Sequence, residues 1–494
     1  MSMRAASLLL LLALALLGAP TARADDGPPA LPPGLEDEPE VPLPDGLGDE
    51  GDEPGLPDGL DGPGLPEGLD GTGLEAAPEG EAPPSLWDDA RDFGLRGFLD
   101  LRVGMHTRDG HGQRDASLAE ERLQIGFGKQ VGDFRIDLVT DLVADGLAQG
   151  ETVDLEAGRG WLDLRQASVS FSPLEMVDIK VGRQILTWGT GDLLFLNDLF
   201  PKDWQSFLLG RDTEYLKAPS DALKVSVFTG PIDIDIVYTP RFDADRFITG
   251  ERVTYFSGAA GEFLGHRSDL EFDRPDDWFE DDEIALRLSG RIGSVEAAAY
   301  AYDGFWKSPS GMDPATGEAA FPRLRVYGAS ARSPLAGGIA SIEAAWYESR
   351  DDAGGDDPYV ENGQVRLLVA FERDLPEVAH DLTVGLQWYL EAMHDHCGYE
   401  RGLPPGVQGK DANRQVVTLR VTKRLMSQTL DLSFFAFVSP TDSDAYFRFS
   451  ASYQIDDRWS VFAGAGIFVG EDDHTFYGRF EPNTNVHAGL RWAF

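Results

Sequence analysis

The side chains best suited to chemistry are few. His394, His396 and Cys397 form a compact His-Asp-His-Cys group whose residue types suit a transition metal. The group lacks a fourth spaced partner and a familiar ligand spacing, so the plainer reading is a surface loop with one unpaired thiol. There is no nucleotide-binding P-loop, no His-Glu-x-x-His and no Gly-x-Ser-x-Gly elbow. Cys397 is the one cysteine, which excludes an internal disulfide framework and a Cys-rich zinc site. We therefore expect no catalytic, cofactor or metal residues. A hydrolase that assembles Ser and His across strands is the enzymatic alternative.

A different chemistry, the steering of solutes by fixed charge, fits other residues. Arg183, Gln184 and Trp188 precede a long apolar segment, 189–221, with Leu193, Leu194, Phe195, Leu196, Leu199, Phe200, Trp204 and Phe207. Asp192, Asp198, Lys202, Arg211 and Asp212 are set among them. Such a segment does not stay in water without reason. Folding into a lumen as a constriction would bury it, and docking a lipid-like ligand or a partner is the rival use. Arg102, Asp137, Arg287 and Arg291 are further candidates for a pore wall, with Arg325, Arg420, Arg448 and Glu343 among other lumen-side charges. Opposed signs would orient polar solutes, or would simply stiffen the wall. The acidic run Glu280-Asp281-Asp282-Glu283 at the mouth would give a mild cation preference.

The elements that hold these residues are read from alternation. From Phe93 onward, segments of about ten residues alternate apolar and polar, as an outer-membrane β-barrel requires. Leu99, Leu101, Val103 and Met105 alternate with Asp100, Arg102 and His106. Eighteen such strands are predicted: 95–106, 119–131, 134–145, 161–172, 176–188, 222–230, 232–240, 283–293, 295–303, 323–334, 338–348, 364–373, 380–391, 415–424, 428–438, 444–455, 459–469 and 484–494. Sixteen is the alternative count. Short links alternate with long ones, which puts the short side in the periplasm. Strict alternation would aim Arg183 at lipid, so we expect either a bulge at Gly182 or a position near the outer rim. The last strand ends on Phe494 and resembles the signal read by the barrel assembly machinery of Gram-negative outer membranes.

The flanks fit the same picture. Met1 to Ala24 carries Arg4, an apolar core from Leu8 to Leu17 and Ala22-Arg23-Ala24, the pattern of a cleaved export signal. Residues 25–86 hold 18 acidic side chains and no Lys or Arg, with a repeated Gly-Leu-Pro-Asp/Glu-Gly-Leu-Asp-Gly unit. This composition predicts a disordered, self-repelling periplasmic tether, with partner docking and weak Ca²⁺ binding as rival uses. The barrel occupies 87–494. Across 494 residues, 85 acidic against 42 basic side chains give a net charge of −43, which argues against nucleic acid. No later apolar run is long enough for a transmembrane helix.

One stretch carries a resemblance. Leu164-Arg165-Gln166-Ala167, followed by Val181-Gly182-Arg183-Gln184-Ile185-Leu186-Thr187-Trp188-Gly189, resembles a Leu-Arg-x-Ala … Gly-Arg-Gln-x-x-x-Trp-Gly pattern. That pattern marks porin-like outer-membrane barrels classed mainly as domains of unknown function. Tyr302-Asp303-Gly304-Phe305, Gly328-Ala329-Ser330-Ala331 and Glu343-Ala344-Ala345 are similar to later strands of that group. The resemblance implies envelope transport, in some members beside an inner-membrane exporter and a periplasmic lipid-carrier-like protein. The expected function is a passive channel for small polar solutes. A conduit for hydrophobic cargo is the alternative. Outer-membrane lipid, the assembly machinery and a periplasmic or inner-membrane transport partner are the expected partners.

Overall fold

The computed structural model describes residues 94–494 except 111, 149–151, 259–260, 269, 404 and 406. The export signal and the acidic tether lie outside the described residues. Eighteen antiparallel strands close into one barrel. They are β1 (Leu95–His106), β2 (Ala116–Val131), β3 (Phe134–Asp145), β4 (Leu162–Leu174), β5 (Val177–Ile185) and β6 (Pro219–Phe228). Then come β7 (Ile232–Thr239), β8 (Glu283–Ile292), β9 (Val295–Phe305), β10 (Arg323–Leu335), β11 (Gly338–Ser349) and β12 (Gln364–Asp374). The circuit ends with β13 (Leu382–Met393), β14 (Asn413–Leu425), β15 (Leu430–Ser439), β16 (Asp444–Gln454), β17 (Trp459–Val469) and β18 (Asn485–Ala493). Each strand pairs with its sequence neighbour, and β1 pairs with β18, from Phe98↔Ala493 to His106↔Asn485. Closure leaves no open sheet edge, as a hydrocarbon environment demands. Phe494 extends the seam: its amide donates to the Gly97 carbonyl at 3.0 Å.

The period-2 pattern has its expected outcome. Val103, Met105, Leu138, Val181, Leu288, Trp346, Val369 and Leu386 are exposed on the outer face. Asp100, Arg102, Asp141 and Glu343 face inward and are buried. All eighteen predicted strands are present, with ends moved by a few residues. The largest shift surrounds the apolar segment. β5 stops at Ile185 and β6 starts at Pro219, so the segment runs from 186 to 218. It leaves the wall early because it turns into the barrel.

The main hydrophobic core sits inside the lumen. Leu186, Leu196, Phe200, Phe207, Leu208, Leu209 and Leu216 pack against wall residues Leu324, Val326, Tyr347, Leu368, Phe437 and Tyr446. Each large apolar side chain so buried contributes about 1.5–3 kcal/mol. A short helix, α1 (Trp204–Leu209), starts at Asp203, whose carboxylate accepts from the Ser206 amide at 2.8 Å. The 240–282 connection lies against it: Asp245 accepts from the Lys202 amide at 2.7 Å and the Trp204 indole at 2.9 Å.

The filled lumen explains one misreading. On β10, Leu324, Val326 and Ser330 face inward and are buried, while Tyr327 is exposed. Arg325 is therefore on the outer face, paired with Asp303 at 2.6 Å, and not on the lumen wall as expected. Apolar residues on this strand point inward because the folded segment meets them there. No helix among the described residues is long and apolar enough to cross a membrane.

Candidate functional site: a lumen crossed by one segment

Residues 186–218 traverse the barrel and are tied to its far wall. On β11, the buried Glu343 carboxylate accepts from the Thr190 amide, from the Gly191 amide at 2.8 Å and from Asn197 Nδ2 at 2.9 Å. The Tyr347 hydroxyl donates to the Leu196 carbonyl at 2.5 Å. On β13, Gln387 accepts from the Asp192 amide and donates to its carbonyl, at 3.0 and 2.9 Å. On β16, the Tyr446 hydroxyl donates to the Phe207 carbonyl at 3.3 Å. Backbone polar groups that would otherwise lose water inside the barrel are thus paired.

Charges fix the rest. Asp192 pairs with Arg420 of β14 at 2.9 Å. Asp212 pairs with Arg102 of β1 at 2.8 Å and Arg491 of β18 at 2.6 Å, bridging the seam. Arg211 pairs with Glu120 of β2. Asp198 and Lys202 pair with each other at 3.0 Å, and the Lys202 ammonium lies 4.8 Å from the Phe195 ring centre. Burial raises the Asp192 carboxyl above the usual range, although Arg420 opposes this. Burial acts in the same sense on Asp212, yet Arg102 and Arg491 outweigh it and hold that carboxyl low.

The segment divides the lumen. Towards the short turns lies the inner chamber, of about 1120 Å³, lined by Trp188, Asp192, Asp212, Arg287, Arg420 and Arg448. Towards the long loops lies one of about 700 Å³, lined by Lys202, Trp306, Arg366, Glu391, Arg414 and Phe476. Phe195 and Asp198 line both, so the boundary between the chambers is there.

Not every candidate reaches these chambers. Arg183 has no bulge beneath it. Val181, Gly182 and Arg183 pair one to one with Leu223, Ala222 and Asp221 without a register shift. The rim position is the one realised: Arg183 donates to the Leu155 carbonyl of the 146–161 loop at 2.5 Å, to the Leu164 carbonyl at 2.6 Å and to Asp221 at 2.8 Å. Gln184 is spent on the Gly182 and Ala222 carbonyls. Asp137 pairs with Arg135 near a short turn, and Arg291 is exposed at the short-turn end of β8; neither lines a chamber. Trp188 packs edge-on against Phe200 at 4.8 Å.

The acidic mouth is also different from expectation. Glu283 is buried under the Lys307 ammonium at 2.6 Å and the Tyr302 hydroxyl at 2.5 Å. Asp281 pairs with Arg323 at 3.6 Å, and Asp282 accepts from Tyr238 at 3.0 Å. The run lines neither chamber. Sequence reasoning missed Arg332, which lines the inner chamber, because it put Arg325 on the lumen face of that strand. The alternating Gly328, Ser330, Arg332 series was the available signal. His394 packs at a tilt against Trp346, ring centres 4.3 Å apart, while His396 meets the Lys410 carbonyl at 2.9 Å, and Cys397 is exposed in a second short helix, α2 (His396–Gly402).

No family model matches the chain, and no curated protein matches it. Among solved structures, a mutant of the Rh. blastica porin is 13% identical with a TM-score of 0.35, covering 81% of this chain and 99% of that one. The outer membrane channel DcaP of Acinetobacter baumannii is 12% identical with a TM-score of 0.39, covering 81% and 96%.

Proposed function

We propose that this chain is a passive outer-membrane channel of a Gram-negative envelope for small polar solutes, narrowed by the 186–218 segment. The observation that carries the reading is the pair of chambers, each lined by charged side chains of both signs among apolar ones, meeting at Phe195 and Asp198 inside a closed barrel with an apolar outer belt. The short turns face the periplasm in this reading, and passage involves no chemical step. Polar solutes are favoured over lipid-like cargo because the segment's apolar side chains are consumed in packing the lumen. The acidic 25–86 tether and a periplasmic transport partner belong to the same proposal.

Planar-bilayer recording of the purified full chain tests it. Stable conductance that rises when residues 190–200 are replaced by a short Gly-Ser link supports the channel. A barrel that is folded yet silent in both forms overturns it.

A further inference from the structure

The inner chamber holds more uncompensated positive charge than negative. Of its acidic residues, Asp192 is paired with Arg420, Asp198 with Lys202, Asp212 with Arg102 and Arg491, and Asp431 with Arg424. Only Glu214 lacks a basic partner among the described residues. On the other side Lys217, Arg332 and Arg448 line the chamber with no carboxylate within 4.0 Å among the described residues. Three further lining guanidinium groups have a buried Nε without an acceptor, those of Arg211, Arg287 and Arg420, although each also faces carboxylate: Arg211 faces Glu120, Arg287 faces Asp235 at 3.6 Å, and Arg420 faces both Asp192 and Glu372. A buried donor without an acceptor is costly, and a charged one more so.

Register places two of these arginines together. Arg420 pairs with Phe435 across β14 and β15, and Phe435 with Arg448 across β15 and β16. Arg420 and Arg448 thus share one rung, two strand spacings or about 9.6 Å apart. Arg448 makes a single long hydrogen bond, to the Arg211 carbonyl at 3.5 Å. Its guanidinium otherwise lies 5.0 Å from the Phe207 ring centre, directly beneath the crossing segment. Arg332 stands nearer the short-turn end, three residues before β10 stops.

From this we infer that the inner chamber is an anion-binding station, selecting small organic carboxylates by Arg448 and Arg332 as they approach the Phe195–Asp198 boundary. Planar guanidinium donors match a carboxylate in geometry as well as charge, and basic residues lining a pore favour anions. The selectivity rests on the channel reading above, but the binding station does not.

The test has two arms on the full chain. In bilayers under a tenfold KCl gradient, the zero-current potential should show chloride preferred over potassium. Arg448→Gln and Arg332→Gln should each lower the permeability ratio about sevenfold, because one unit charge across ~7 Å of water weights chloride and potassium by about 2.7-fold each in opposite senses. Arg325→Gln, on the outer face, should leave it unchanged. In detergent, calorimetric titration with succinate should show binding that Arg448→Gln weakens at least threefold and Arg325→Gln does not. A conducting channel with cation preference, or a ratio indifferent to Arg448 and Arg332, overturns the selectivity and leaves the channel reading intact. A silent barrel overturns the channel reading, and the titration then decides the station: absent or Arg448-independent succinate binding sinks it. Retained heat-modifiable gel mobility of each variant shows that the barrel is folded.

Discussion

Glu343 is the place to attack the crossing segment. Its side chain is 1% exposed, and three donors of the segment converge on it: two amides and the Asn197 amide group. A hydrogen bond to a charged acceptor contributes about 1.5–3 kcal/mol. The Thr190 and Gly191 positions line the inner chamber, so water would recover part of what Glu343→Ala removes. A net loss of about 3 kcal/mol for the inward-folded state is therefore reasonable, less than the simple sum of three bonds. At about 1.4 kcal/mol per decade, the population with the segment displaced should rise roughly 100-fold. Glu343→Gln keeps one acceptor oxygen and loses the charge, so about tenfold is expected. Single-channel recording would show this as more frequent excursions to a larger conductance, in the order wild type, Gln, Ala. Traces of a folded Glu343→Ala barrel that match wild type would refute the claim that this carboxylate holds the constriction.

Other expectations follow from the same structure. The two carboxyl anchors should separate with pH. Asp192, facing Arg420, Glu372, Arg448 and Gln387, has a raised pKa, so acidification neutralises it first and removes one of the two carboxylates on Arg420. Asp212 has a lowered pKa. Its contribution is complete above the ordinary carboxylate range and is lost only as pH falls through the depressed value. Anion preference should thus rise before conductance does, and simultaneous change would contradict the assignment. Leu386→Arg puts a charge on the lipid face and should destabilise the barrel by about 2–4 kcal/mol, measured by urea unfolding in bilayers. Gly182 has φ +112°, and a Cβ there would stand 2.3 Å from the Ala167 carbonyl oxygen, so Gly182→Ala should impair folding, read as loss of heat-modifiable gel mobility. Wild-type mobility would show that β4 can yield there.

The quoted motif acquires a physical sense only in three dimensions. Thr190 and Gly191 are far from Glu343 in sequence, yet the carboxylate accepts from both of their amides. Gly189 permits this, with φ +85° and a Cβ position 3.2 Å from the Glu343 carboxylate. Arg183 and Gln184, by contrast, hold the rim and the strand backbone, away from any solute path. A spacing pattern ranks residues that share a reason to be fixed. It does not distinguish a solute contact from a strut.

The sequence by itself determined the strands, their order and, except on β10, their inner and outer faces. A two-residue period leaves each side chain only two directions, and lipid tolerates only one kind on its side. Its limit was the interior. Whether an inward leucine means an error or a core depends on what fills the barrel, and that filler comes from elsewhere in the chain. Tertiary structure alone decided that 186–218 crosses the lumen, that Leu324 and Val326 meet it, and which arginines remain unpaired. Ion pairs such as Asp212 with Arg102 and Arg491 join residues more than a hundred positions apart, and no local pattern encodes them.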